Sequence, residues 1–93
     1  MRIYQSRSFE KKIKKISKSE KDVLDREIKQ IAEDSAMGEE KKGDLKDVFV
    51  QKFKLKTTQY QLAYRKIGGD LELVMIGPHE NYYRDLKQYL KNR

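Results

Sequence analysis

At the segment "AMGEEKKGD", residues 36–44, the period of the apolar residues changes from 3.6 to 2. Before it, apolar side chains recur at helical spacing; after it, they alternate. A chain built this way folds its first half as helices and its second as a sheet, which excludes a helical bundle and an all-β barrel alike.

In the first half, "MRIY" is short enough for an edge strand. Ser8 precedes Phe9, Ile13 and Ile16, spaced i, i+4, i+7 along one helical face, with a basic solvated stripe opposite. "SKSE" interrupts the pattern, and Ser19 with Asp22 resembles a capping box. Leu24, Ile28 and Ile31 then carry a second helix to about residue 35. Two helices with a short break predict a helical hairpin. The glycines and charges of "AMGEEKKGD" read as a loop.

In the second half, Phe49, Phe53 and Leu55 fall on one face of a strand; Val48, Val50, Lys52, Lys54 and Lys56 fall on the other. "QYQLAYRKI" alternates in the same way, setting Tyr60, Leu62 and Tyr64 against Gln61, Ala63 and Arg65. Gly68-Gly69 marks a hairpin into "LELVMI", and Pro78 ends that strand. Tyr82, Leu86 and Tyr89/Leu90 return to helical spacing. The expected class is α+β, in the order β-α-α-β-β-β-α. Its sheet is small and mostly antiparallel, with helices on one face and a helix closing the chain. Ninety-three residues make one domain, 1–93, with one modest core.

Charge narrows the partners. Residues 1–47 carry 13 Lys and Arg against 11 Asp and Glu, whereas residues 48–93 carry 9 against 4. The excess lies in the strand half and favours a polyanion, nucleic acid first and an acidic protein segment second. No apolar run reaches the roughly 18 residues of a membrane span, and no stretch reads as a signal peptide. The absence of Cys removes disulfides and thiolate metal sites and suits a cytoplasmic location. No phosphate loop, dinucleotide fingerprint, zinc pattern or serine triad is present, so no cofactor, metal or membrane partner is expected.

Three groups of residues carry chemistry. Lys52, Lys54 and Lys56, read as alternating on one strand, line a face about 7 Å apart. They form a solvated surface, a phosphate-binding row, or a row whose neighbouring charges disfavour one another so that one serves as a general base. His79, the only His, is either a turn residue or a group that exchanges a proton near pH 7. Tyr82 and Tyr83 point about 100° apart on a helix, so one packs while the other faces out. An outward tyrosine beside lysines suits stacking on a base, or proton transfer.

Two stretches, "KFKLKTTQYQLAY" (52–64) and "VMIGPHENYYRDL" (74–86), together with the element order, resemble the RelE/ParE superfamily of type II toxins. The resemblance implies a toxin restrained by a cognate antitoxin. In the RelE-like branch it implies a metal-independent endoribonuclease that cuts mRNA in the ribosomal A site and stops translation. Lys52, Lys54, His79 and Tyr83 would then be catalytic, and Lys56, Arg65, Tyr82 and Arg84 would hold RNA. Gln61 and His79 depart from the pattern, standing where the branch usually has arginines. The ParE-like branch, which poisons DNA gyrase, and a non-toxic binding module of the same fold are the alternatives.

Overall fold

The computed structural model describes residues 1–45, 47–78 and 80–93. Among them, three helices and a five-stranded mixed sheet form an α+β fold. The strands are β1 (Ile3–Gln5), β2 (Glu39–Glu40), β3 (Val48–Leu55), β4 (Thr58–Ile67) and β5 (Asp70–Pro78). The helices are α1 (Arg7–Ile13), α2 (Lys18–Glu33) and α3 (Tyr82–Lys91). The sheet runs β1-β5-β4-β3-β2; β1 lies parallel to β5, and the other pairs are antiparallel.

The first two helices each begin at a serine whose side chain accepts from a free helix amide. Ser6 caps α1: its hydroxyl accepts from the Phe9 amide at 3.1 Å and donates to the Val74 carbonyl. The capping box of α2 is Ser17 with Glu20, two residues ahead of the expected Ser19 and Asp22, which lie inside the helix. The segment read as a loop also contributes structure. Glu39 and Glu40 pair with Val50 and Phe49 as a two-residue strand, and Gly43–Leu45 makes one 3-10 turn.

A core packs on each face of the sheet. Phe9, Leu24 and Ile31 of the first two helices pack on Phe49, Phe53, Leu55, Leu62 and Tyr64. On the opposite face, Tyr82 and Leu86 of α3 pack on Val48, Val50, Ala63 and Val74. The closing helix therefore does not join the other two, and the valines that share a face with the lysines belong to a second core. β5 serves both cores through a bulge. Tyr64 pairs with Leu73 and Ala63 with Met75, leaving Val74 as the extra residue. Leu73 and Ile76 face the first core, while Val74 and Met75 face the second.

Aromatic pairs pin the register of β3 and β4. Phe49 stacks on its partner Tyr64 with centroids 5.5 Å apart, and Phe53 meets Tyr60 at 6.5 Å. The Tyr64 hydroxyl donates to the Ser35 carbonyl and accepts from the Gly38 amide, both at 2.9 Å, so it ties the end of α2 to the sheet. A β-carbon at Gly38 would lie 2.7 Å from that hydroxyl. Gly38→Ala is accordingly expected to cost about 1–3 kcal/mol, read by urea unfolding. Unchanged stability would mean that this contact does not constrain the loop.

Candidate active site

The β3–β4 hairpin sets the two strand lysines. Beyond Val48 and Val50, the same face continues with Lys52 and Lys54, both exposed. Lys52 lies opposite Gln61, which lies opposite Gly77, so one row crosses β3, β4 and β5. Gln61 is 0% exposed, a buried polar floor between the exposed lysine and the end of β5. Lys54 pairs with Gln59, nearer the hairpin tip.

Lys56 does not extend this row. The strand ends at Leu55, which pairs with Thr58, and Lys56 occupies the two-residue turn with φ 57°. The chain reverses before a third lysine can be placed on the face, so the row holds two lysines, with the third at the tip.

The tyrosines divide between core and surface. Tyr82 is 3% exposed, and its hydroxyl donates to the Met75 carbonyl at 2.8 Å. Burial pushes its phenol far above the ordinary value, keeping it neutral. A base cannot stack on a ring so covered, which corrects the expectation that Tyr82 holds RNA. Tyr83 is half-buried, edge-on to Tyr82 with centroids 5.5 Å apart. It packs on the same core as Val50, on the side of the sheet that carries the lysines.

The expected arginines lie apart from the lysine pair. Arg65 is opposite Val48 at the other end of this face, and its guanidinium meets Glu72 at 3.2 Å. Arg93 grips the same carboxylate at 2.7 and 2.9 Å. Burial alone would raise Glu72, but hydrogen bonds and charge from Arg93 and Arg65 outweigh it and hold the carboxyl below its usual range. Arg84 is exposed on the first turn of α3 and pairs with Asp85 at 3.3 Å. His79 lies outside the described residues; Gly77 and Pro78 before it end β5.

Sequence reasoning passed over Lys41. It follows β2, and its ammonium sits 4.9 Å from the centroid of the Tyr83 ring and 3.2 Å from the Glu39 carboxylate. Its only signal in the sequence was a charged run too short to show a period. A groove of about 590 Å³ opens on the other flank of α3, lined by Arg7, Lys11 and Lys12 from α1, by Lys15 just after it, and by Tyr82 and Tyr89 from α3. None of Lys52, Lys54 and Tyr83 borders it. Among the described residues, no three His, Cys, Asp or Glu side chains gather as metal ligands.

A mixed sheet with α1 and α2 on one face and a tyrosine-headed helix beside a lysine strand on the other can be compared with known proteins. The family model described as ParE-like toxin of type II bacterial toxin-antitoxin systems matches residues 3–87. The chain belongs to this family. As a ParE-like toxin it shares its fold with two solved Escherichia coli structures. A chain of the intact RelBE toxin-antitoxin complex matches with a TM-score of 0.68 at 18% identity, over 85% of this chain and 96% of that one. The isolated RelE toxin matches with a TM-score of 0.65, also at 18% identity, over 94% and 96%. At such identity the likeness shows the fold. No curated protein sequence matches. Among the described residues of this toxin, no helix is long and apolar enough to cross a membrane.

Proposed function

We propose that this toxin is a metal-independent endoribonuclease that cuts mRNA on the ribosome and is silenced by a cognate antitoxin. The observation that carries the reading is the pair of exposed lysines on β3 sharing a face with Tyr83 at the head of α3. Cleavage by this route requires a base to take the 2′-hydroxyl proton as that oxygen attacks the adjacent phosphorus. The bond to the 5′-oxygen breaks, an acid protonates the departing oxygen, and a 2′,3′-cyclic phosphate remains. Lys52 or Lys54 is the base, the other lysine neutralises charge on the phosphorane, and His79 is the acid. Tyr83 stacks on or polarises the substrate. Lys56 and Arg84, exposed around this face, hold flanking phosphates. Arg65 extends the cationic surface toward β2, with part of its charge spent on Glu72.

Poisoning of DNA gyrase is the second reading. It is favoured by one residue: position 61 is a buried Gln, not the arginine usual in the nuclease pattern. Induction in cells separates the two. The nuclease reading expects protein synthesis to stop while mRNA is cut in frame, with no DNA damage response. Double-strand breaks with intact mRNA would move the assignment to gyrase.

A further inference from the structure

We propose that Lys41 is a positioning residue of this site, holding Tyr83 in its working orientation from the β2–β3 edge of the sheet. The proposal rests on the endoribonuclease reading of the same face.

Tyr83 needs an external support. It is the second residue of α3, and the helix starts from Asn81 at φ 58° without a side-chain cap. No capping bond therefore fixes the first turn. One side of the Tyr83 ring is set by Tyr82, edge-on at 5.5 Å. The other support is Lys41, whose ammonium stands 4.9 Å from the ring centroid, within cation–π range.

Lys41 is itself anchored, unlike the strand lysines. Its amide donates to the Val48 carbonyl at 2.8 Å, continuing the β2–β3 ladder by one bond. Its ammonium meets the Glu39 carboxylate at 3.2 Å, and its side chain is only 20% exposed. Burial pushes the ammonium down, but hydrogen bonds to Tyr83 and Glu39 outweigh it and hold the group above its usual value, hence charged. A cation beside the first turn of a helix opposes the helix dipole, and Glu39 offsets that penalty. A long side chain fixed at both ends, with its charge on a half-buried phenol, fits a strut better than a solvated lysine.

The test is single-turnover cleavage on programmed ribosomes by Lys41→Met, Lys41→Gln and Lys41→Arg, each in the natural background and with Tyr83→Ala. A misplaced catalytic group costs up to about 100-fold. Lys41→Met and Lys41→Gln are therefore expected to slow cleavage roughly 10- to 100-fold, with ribosome affinity unchanged. Lys41→Arg should restore most of the rate, and in the Tyr83→Ala background all three should have no further effect. Wild-type cleavage by both Lys41→Met and Lys41→Gln would overturn the proposal. So would an equal loss in the Tyr83→Ala background, since Lys41 would then act on RNA or on folding without Tyr83. If the unsubstituted toxin leaves mRNA intact, the endoribonuclease reading falls and takes the strut with it. That result is distinct from an active toxin indifferent to Lys41.

Discussion

Single-turnover cleavage on programmed ribosomes is expected to fall by about 10²- to 10⁴-fold in Lys54→Ala, the contribution of a positioned acid or base. Affinity for the ribosome should change little, because the group is needed in the transition state rather than in the bound complex. Lys54 is exposed and faces Gln59 across the hairpin, so its removal leaves the cores intact. Its unfolding midpoint should match the parent, since surface changes of this kind stay within about 0.5 kcal/mol. A lost rate with an unmoved midpoint is the signature of chemistry. His79→Ala, tested beside it, should fall within the same range. Near-parental cleavage by both variants would leave the lysine face as a binding surface and favour the gyrase reading.

The largest effect on stability is expected at Tyr82. Its ring fills the space between α3 and β5 and lies against Gly77, where an added β-carbon would be 3.5 Å away. Tyr82→Ala should cost about 3–5 kcal/mol, as for other large aromatic truncations. In a domain of typical total stability, roughly 5–15 kcal/mol, that is a large share. Tyr82→Phe keeps the ring and loses only the bond to the Met75 carbonyl, so about 0.5–1.5 kcal/mol is expected, with cleavage by the folded protein unchanged. Denaturant unfolding paired with the cleavage assay decides the matter. Parental stability with lost cleavage would return Tyr82 to the RNA surface.

Much of this fold could be read from alternation and helical spacing, because both cores depend on them. Phe49, Phe53, Leu62 and Tyr64 lie where the two-residue period puts them, and Leu24 and Ile31 where the helical period does. The misreadings have local causes. Ser17 and Ser19 each stand three residues before an acid, and only the path of the preceding turn selects the former. Two residues of β2 cannot show a period. Val48, Val50 and Ala63 were visible as apolar residues on the lysine side, yet a second core requires a cover, and α3 comes from far along the chain. For the site, extending the alternation past Leu55 ignored the reversal at Lys56. Tyr82 shares the apolar stripe with Leu86, which was the available sign that it packs inward while Tyr83 does not. Lys41 reaches Tyr83 only through folding, so no local pattern announces it.

The bulge at Val74 has a consequence for how such chains tolerate changes in length. A strand that already carries one unpaired residue has used its single change of parity, and every side chain after it takes its face from that slip. Deleting one residue between Val74 and Gly77 would absorb the bulge and leave Gly77 opposite Gln61, whereas adding one there would require a second slip to keep Gly77 in the row it shares with Lys52 and Gln61. The hairpin tips at Lys56 and Gly68 have no such dependence, because residues added there lie beyond the last paired positions of their strands. Insertions are thus filtered unequally along the sheet, freely admitted at the hairpin tips and opposed where the strand approaches the site.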